Sequence, residues 1–231
     1  MRIVLLIAFG IAFNGGALNA HDIITTKITF SKEISRLLYK RCATCHREGG
    51  SAFSLMTYDE ARPWAKAIKE EVLERRMPPW EAVKGFGEFR DDRGLTQEEL
   101  ETISAWVEGG APEGDPKYLP PLPKLTAWQD PPAPKGSSEL VVADGAKLPA
   151  SKLLAIRPKN LKTGASVQIV AIRPDLSIEP LLWIYQYKPE FHRTYYYASA
   201  ISLPAGTKIE MSPATAGTVG LFIKQTATAR R

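Results

Sequence analysis

Two cysteines and a histidine stand within one five-residue stretch, Cys42-Ala43-Thr44-Cys45-His46. The spacing Cys-x-x-Cys-His is the attachment signature of a c-type haem. Two thiols at this spacing can each add to a vinyl group on one porphyrin edge, and the imidazole that follows can donate a nitrogen to the iron as the proximal ligand. The stretch therefore predicts one covalently bound haem c, held through Cys42 and Cys45, with His46 as an axial ligand of the iron.

Other chemistries of a cysteine pair fit the remaining sequence less well. A structural zinc ion takes four Cys or His ligands, and the chain has 2 Cys and 3 His, with no second cysteine pair. A thioredoxin-like dithiol opens a helix after a strand, whereas this pair follows a predicted helix. A disulfide between Cys42 and Cys45 would close a very tight loop. Covalent haem attachment is the interpretation that remains.

Residues 1–20 have the layout of a secretory signal peptide. Arg2 precedes the apolar run 3–9, and a less apolar stretch ends at Ala20. We expect cleavage after Ala20 and a periplasmic or secreted bacterial protein, because c-type haem attachment is completed outside the bacterial cytoplasm. An uncleaved membrane anchor is the alternative, although the apolar core is short for a spanning helix of about 20 residues. No other stretch predicts a membrane span. A new N-terminal His21 would be either a copper chelator or part of a solvated tail.

The charge balance is mildly basic, with 30 Lys and Arg against 25 Asp and Glu and a formal net charge of +5. Such a balance could steer the protein toward an acidic redox partner, and ordinary solubility explains it equally well. No basic stretch is interleaved with aromatic residues, so a nucleic-acid partner is not expected.

Helical periodicity predicts a small all-α domain over residues 21–116. Ser31 is the expected N-cap of a first amphipathic helix that leads directly into Cys42. Capping boxes at residues 57–60 and 96–99 predict the starts of later helices. Pro63 should kink or restart the first of these. We expect the first and last helices to cross through Leu37, Leu38, Ile103 and Val107, and Trp64 to pack in the core.

The segment Met77-Pro78-Pro79-Trp80 predicts a stiff loop after a helix, since two prolines end the helix and restrict the backbone. Such a loop could hold the Met77 thioether on the open side of the iron, and a methionine that only packs is the competing interpretation. Met56 follows His46 too closely, and Met211 lies in a strand-rich region. A thioether ligand would raise the potential and close the sixth position. Residues 85–92 are expected to form a surface loop edging the pocket.

A Pro-rich linker over residues 117–135 separates this region from one with alternating periodicity. Strands are predicted at 167–172, 181–185, 194–197, 208–211 and 219–223. The expected fold is therefore multi-domain, α then β: a small all-α cytochrome c-like domain followed by a small antiparallel β-sandwich over residues 136–231.

Residues 30–116 resemble the monohaem cytochrome c domain of a bacterial family. The resemblance rests on the segments 42–46, 55–58, 61–65, 77–80 and 105–115. Those domains often precede a copper type II, ascorbate-dependent monooxygenase-like module. The resemblance implies that His46 and Met77 are the two axial ligands of the haem iron.

The strand-rich region is similar to part of that monooxygenase-like module, in segments 156–161, 172–175, 180–184 and 203–210. Where the module carries a His-x-His copper pair, this chain has Lys159 and Leu161, and copper of this kind requires imidazoles. Only His192 remains nearby, and a surface or packing role explains it as well. We interpret the region as a non-catalytic remnant that could serve as a docking surface. The run Tyr195-Tyr196-Tyr197 would either pack across a sheet or present a contact patch.

The leading hypothesis is an exported c-type cytochrome that transfers single electrons between periplasmic redox proteins, without an enzymatic activity or a small-molecule substrate of its own. The alternative is a redox component, or a degenerate relative, of a copper-dependent monooxygenase, with the β domain serving for partner binding. A third hypothesis is a structural or assembly role in which the haem senses redox state.

Overall fold

The computed structural model describes residues 26–125 and 130–226, with helices first and strands second. This order confirms the change from helical to alternating periodicity that the sequence predicts. The predicted signal peptide and His21 lie outside the described residues. Within the described ranges, no helix has both the length and the apolar character needed to cross a membrane.

The helical part spans residues 26–125 and contains four α-helices. They are α1 (Ser35–Arg41), α2 (Tyr58–Ala61), α3 (Ala65–Leu73) and α4 (Gln97–Glu108). A π-helical turn, Phe30–Ile34, runs directly into α1, and 3-10 turns form at Arg62–Trp64 and Pro116–Tyr118. Pro63 lies in the turn that joins α2 to α3, so it restarts the helix as predicted, because a proline cannot donate an intrahelical hydrogen bond.

Both predicted capping boxes are present. The Thr57 side chain accepts a hydrogen bond from the Glu60 amide, and the Glu60 carboxylate accepts one from the Thr57 amide. Thr96 and Glu99 make the same reciprocal pair at the start of α4. Each box satisfies amides that a helix start would otherwise leave without a partner.

The predicted N-cap at Ser31 is wrong. The first helical segment begins at Phe30, and Thr29 occupies the cap position in an extended conformation. The amides of Phe30 and Ser31 donate to the carbonyls of Pro112 and Glu113 at 3.0 and 2.8 Å. The chain beyond α4 therefore fixes where the first helix starts, which no local capping signal could indicate.

One hydrophobic cluster forms the core of the helical part. Leu38 and Ile103 are buried in it, and Leu37 and Val107 are partly buried against it. Its buried members are Phe30, Ile34, Leu38, Leu55, Ala61, Ala65, Val72, Ile103, Trp106 and Ala111.

Trp64 does not pack in this core, contrary to expectation. Its side chain is 46% exposed, and its ring stacks on Phe53 with 4.5 Å between the ring centroids. The 3-10 turn around Pro63 breaks the helical register, so the Trp64 ring leaves the face that α3 turns toward the core.

The strand part contains seven antiparallel strands within residues 130–226. They are β1 (Ser138–Val142), β2 (Ser151–Pro158), β3 (Val167–Ile172), β4 (Ile178–Ile184), β5 (Tyr195–Leu203), β6 (Lys208–Ser212) and β7 (Val219–Gln225). One sheet has the order β1-β7-β2-β5 and the other the order β4-β3-β6. The sequence predicted β3 to β7 approximately and missed β1 and β2 as strands.

Side chains of both sheets share one hydrophobic cluster, so the two sheets bury their inner faces against each other. Tyr195 and Tyr197 belong to this cluster, whereas Tyr196 packs on the other face with Ala155 and Phe222. The tyrosine run is thus buried on both faces of β5, as period-two alternation requires. The three tyrosines therefore serve packing within the strand part and do not present a contact patch.

A segment of the helical part completes the strand part. We call residues 80–90 the bridging loop. The Val83 amide donates to the Trp183 carbonyl on β4, and the Arg90 amide donates to the Tyr196 carbonyl on β5, each at 2.8 Å. Since β4 and β5 are outer strands of their sheets, the loop covers two edges that would otherwise lack partners. Residues 85–92 lie at the surface as expected, but their pairing with β5 was not predicted.

Apolar side chains fix the bridging loop to the strand part. Ala82 is buried in the strand cluster, and Trp80 and Phe89 pack against it. The end of the Pro-rich linker is also held there, because Asp130 accepts hydrogen bonds from the amide and hydroxyl of Thr194 at 3.1 and 3.0 Å. The helical and strand parts are therefore joined by packing as well as by the chain.

Candidate functional site

The Cys-His stretch forms a helical turn at the end of α1. The Cys45 and His46 amides both donate to the Cys42 carbonyl, at 3.1 and 3.0 Å. Both cysteines are free thiols and partly buried. The turn thus places two thiols and one imidazole on a single short segment, as the Cys-x-x-Cys-His spacing predicts.

The ring of His46 has a defined orientation. Its Nδ1 lies 3.0 Å from the carbonyl oxygen of Phe53. A carbonyl can only accept, so Nδ1 carries the proton and Nε2 keeps its lone pair for an electrophile or a metal ion. The Phe53 ring meets the His46 ring edge to face, with 5.0 Å between centroids. Such a carbonyl partner is what fixes the tautomer of metal-binding histidines.

The loop after His46 can return to the ring only because Gly50 has no side chain. A Cβ at Gly50 would lie 2.2 Å from the Cys45 carbonyl oxygen. The Ala52 amide donates to the same carbonyl at 3.1 Å, and the Leu55 amide donates to the His46 carbonyl at 3.2 Å. The close approach at Gly50 therefore brings the Phe53 carbonyl within reach of the imidazole.

The Cys42 thiol faces the interior, since Cys42 packs against the helical cluster. Burial raises the pKa of the Cys42 thiol to about 12, and the nearby Arg41 cation only partly opposes this shift. The group is accordingly a protonated thiol at neutral pH, and not a reactive thiolate of the kind found in dithiol oxidoreductases.

Arg41 anchors the end of α1 to α4. Its guanidinium pairs with the Glu99 carboxylate at 2.9 Å, and both side chains are 11% exposed. Burial by itself would raise the pKa of Glu99, but the Thr96 amide and the Arg41 cation outweigh it and hold the pKa below its ordinary value. Arg41 also donates to the Asp92 carbonyl at 3.0 Å, so one cation ties three segments together next to Cys42.

Met77 lies on a different segment from the cysteines, in the turn that ends α3. Its amide donates to the Glu71 carbonyl at 3.1 Å, and the residue is partly buried. Three residues later, the Trp80 ring lies beside the Tyr195 ring, with 5.1 Å between centroids. A Cβ at Gly94 would lie 3.2 Å from the Trp80 ring. The segment that carries Met77 therefore also carries Trp80, whose ring is packed between the helical part and the strand part.

A buried polar cluster holds the start of the bridging loop. The Glu81 carboxylate accepts a hydrogen bond from the Tyr195 hydroxyl at 2.8 Å and from the Lys188 amide at 3.2 Å. Burial raises the pKa of Glu81 despite these donors, and burial together with the Glu81 charge raises the pKa of Tyr195 well above its ordinary range. The strand part thereby fixes the segment that carries Met77.

Two positively charged side chains complete this region. Arg193 is only 6% exposed, and its guanidinium lies over the Trp80 ring, 5.4 Å from the centroid. Burial and the Arg193 cation lower the pKa of Arg93, whereas Cys45 raises it. Arg93 is therefore within electrostatic reach of both Cys45 and Arg193. Sequence reasoning missed Phe53, Arg93 and Arg193, since none of them belongs to a recognisable motif.

Lys159 and Leu161, which stand where the monooxygenase-like module has its copper-binding histidines, have structural partners instead. Lys159 pairs with the Glu139 carboxylate at 2.9 Å, and Leu161 is buried in the strand cluster. His192 is exposed, with Nε2 3.2 Å from the Pro158 carbonyl oxygen. Within residues 26–125 and 130–226, no three His, Cys, Asp or Glu side chains are grouped as a metal site.

No family model, curated protein or solved structure matches this chain.

Proposed function

We propose that the chain is an exported c-type cytochrome that carries one covalent haem c and passes single electrons between periplasmic redox proteins. The observation that carries the proposal is the orientation of His46, whose Nδ1 donates to the Phe53 carbonyl at 3.0 Å. That contact directs the lone pair to Nε2, on the same turn as two free thiols. The donor set and its arrangement fit a c-type haem.

Each residue of the site has a distinct role in this proposal. The thiols of Cys42 and Cys45 would bond to the porphyrin by adding to its vinyl groups, His46 would supply an imidazole nitrogen, and Met77 would supply a thioether from the turn after α3. When bound, the haem supplies a one-electron Fe(III)/Fe(II) couple. The protein holds the ligands, excludes water and sets the potential, and a thioether in place of a second imidazole favours the ferrous form.

The helical part would then be a cytochrome c-like domain, and the strand part a small β-sandwich without catalytic residues. The buried Leu161 and the Lys159–Glu139 ion pair support this, because neither Leu161 nor Lys159 can supply the imidazole that copper of this type requires. The monooxygenase-related alternative would need ligands from elsewhere. The Cys-x-x-Cys-His motif and the signal-like residues 1–20 together support export.

The test is to express the full chain with and without haem-attachment machinery and to measure mass, visible spectrum and midpoint potential. We expect the mass of the mature polypeptide plus one haem, and loss of that added mass when Cys42 and Cys45 are both replaced by alanine. A secreted product with only the mass of its polypeptide would refute the proposal.

The assignment of Met77 has its own test. Met77→Ala should abolish the charge-transfer band of thioether-to-iron ligation and lower the potential, while covalent haem is retained. Met56→Ala is the matched control, because it removes a thioether from the neighbourhood of α2, and it should leave the band unchanged. Persistence of the band in Met77→Ala would show that another group is the sixth ligand.

A further inference from the structure

One side of the four-stranded sheet carries a cluster of positive charge. Lys152 on β2 lies directly opposite Lys224 on β7 in the strand register, so both side chains leave the sheet on the same side. Their neighbours Leu153 and Ile223 alternate to the other side and are buried in the strand core. The two lysines therefore lie on the outer side of the sheet, where both are exposed. We call four residues of this side the basic face: Lys152, Arg157, Lys159 and Lys224.

Arg157 and Lys159 extend the basic face along β2 and just beyond its end. Arg157 donates to both oxygens of the Glu139 carboxylate, at 2.9 and 2.7 Å, and its guanidinium lies 5.0 Å from the centroid of the outward-facing Phe222 ring. The Lys159 ammonium pairs with the same carboxylate at 2.9 Å. The Asp130 charge also acts on Arg157. Since these carboxylates serve Arg157 and Lys159, the positive charge that remains is concentrated at the lysine pair on β2 and β7.

The lysine pair stands where it costs stability. Like charges directly opposite each other on one side of a sheet repel and destabilise the strand pairing. Lysines on an edge strand protect a sheet from association, but β7 and β2 are the inner strands of the order β1-β7-β2-β5. Within the part of the chain that the structure describes, neither ammonium has an ion pair with a carboxylate. General solubility is the rival explanation, and it does not require two lysines in register.

The rest of the outer side narrows the class of partner. Phe222 and Tyr196 are 4% and 7% exposed, and Arg157 and Arg90 lie over their rings, so neither ring can stack on a nucleic-acid base. Val141 on β1 is 52% exposed, and a single valine is a weak anchor for a membrane. Cations held on a rigid sheet match best the carboxylates of a folded protein, whose positions are also fixed.

We propose that the basic face docks an acidic surface of a folded partner protein, with Lys152 and Lys224 as the principal charge contacts. The inference goes beyond the proposed function, because it requires no haem. Glu139 holds Arg157 and Lys159 in place, so these side chains lose little conformational freedom when a partner binds. Charge complementarity of this kind speeds association and weakens as salt is added.

The test uses the full chain and a defined acidic probe, a fluorescently labelled poly-glutamate peptide. Binding is measured by anisotropy at low ionic strength and again at rising salt. Lys152→Gln with Lys224→Gln should weaken binding on the order of fivefold, because two exposed ion contacts are lost. The same double variant should also show a smaller dependence of binding on salt. Lys224→Glu, which reverses one charge of the pair, is a second variant and should weaken binding as well.

A second lysine pair provides the matched control. Lys147 lies opposite Lys208 in an isolated antiparallel bridge, and Lys208 belongs to β6 in the three-stranded sheet. Lys147→Gln with Lys208→Gln therefore removes the same charge and the same kind of opposed pair from the other sheet. This change should leave peptide binding nearly unchanged. Denaturant unfolding of both double variants checks that each is folded.

Binding that is weakened by the change at the basic face and not by the control would support the proposal. It would be overturned if the wild type did not bind the peptide, or if both double variants weakened binding equally, since net charge alone would then explain the effect. Phosphatidylglycerol vesicles and single-stranded DNA are the rival probes. Tighter binding of either than of poly-glutamate, lost in Lys152→Gln with Lys224→Gln, would overturn the assignment to a protein. Protein that carries no haem would overturn the proposed function and leave this inference standing.

Discussion

At the scale of single residues, the chemistry of His46 is decided by a backbone carbonyl seven positions further along the chain. Phe53 contributes its carbonyl oxygen, and Gly50 allows the chain to bend back far enough to deliver it. An imidazole without such a partner could place its proton on either nitrogen and rotate freely. The short loop after the motif therefore matters as much as the motif.

Gly50→Ala tests this loop. The added Cβ would meet the Cys45 carbonyl oxygen at 2.2 Å, so the backbone must shift and the contact between His46 and Phe53 should be lost. We expect a loss of at least about 2 kcal/mol of stability and reduced haem incorporation, measured by denaturant unfolding and by the ratio of haem to protein. Gly49→Ala is the control, because it has open space and costs only about 1 kcal/mol from its positive φ. Equal incorporation in both variants would contradict the role of the loop.

The sequence sufficed to identify Cys42, Cys45 and His46 as candidates, because their identity and spacing are local. Met77 became a candidate through the two prolines that follow it and through the family resemblance. It could not identify Phe53 or Arg193. Phe53 acts through a backbone atom that every residue type possesses, and Arg193 reaches Trp80 only after the strand part has folded. Side-chain chemistry can be anticipated from a motif, whereas its partners depend on tertiary structure.

At the scale of secondary structure, the end of α1 and the start of α4 are joined by the Arg41–Glu99 pair. Glu99 also closes the capping box of α4. Glutamine preserves a capping box, so Glu99→Gln removes the charge and keeps the cap. We expect a loss of about 3 kcal/mol at neutral pH, because Arg41 would remain buried without its counter-charge. Glu60→Gln makes the same change in the other box and should cost less than about 1 kcal/mol.

The pH dependence of this pair has a definite sign. The pKa of Glu99 is lowered in the folded protein from an ordinary value of 4.5. The contribution of the Glu99 charge to the free energy of unfolding is therefore complete above about pH 4.5. It is lost as the pH falls through the lowered pKa of the folded protein. The free energies of unfolding of wild type and Glu99→Gln, measured with denaturant, should differ by a constant amount near neutral pH. This difference should shrink in acid. A difference that grows on acidification would contradict the assignment.

The bridging loop can be tested through Phe89. Its ring lies 5.4 Å from the ring centroids of both Tyr195 and Tyr197. Phe89→Ala should destabilise the protein by about 2 kcal/mol, since a partly buried aromatic side chain is removed from the strand core. Tyr118→Ala, at a side chain that is 47% exposed, should cost less than about 1 kcal/mol. Similar unfolding midpoints for the two variants would mean that the loop only rests on the surface.

Sequence patterns indicated some elements better than others, for physical reasons. The capping boxes depend on residues three apart, so they could be predicted and are present. The start of the first helix depends on Pro112 and Glu113, and the pairing of the bridging loop depends on β4 and β5. Hydrogen bonds between distant segments leave no periodic trace, so the sequence indicates neither the helix start at Phe30 nor the pairing of the bridging loop with β4 and β5.

At the scale of the whole molecule, the Trp80 side chain lies against residues of both the helical and the strand part. Trp80 packs on Tyr195 and Phe89 in the strand part, and its ring lies against the Gly94 position in the helical part. The bridging loop belongs to the strand core, while the helices before and after it, α3 and α4, belong to the helical core. Unfolding of either part must therefore disturb the other.

Calorimetry of the full chain should show this coupling as one cooperative transition, with equal calorimetric and van't Hoff enthalpies. In the haem-loaded protein that the proposed function requires, haem absorbance and near-UV circular dichroism should then change at the same temperature. Trp80→Ala removes this ring, and the two signals should separate, because the helical and strand parts lose a shared contact. Trp64→Ala is the matched control, since the Trp64 ring is 46% exposed and stacks on Phe53 in the helical part. Two transitions already present in the wild type would show that the bridging loop does not couple the cores.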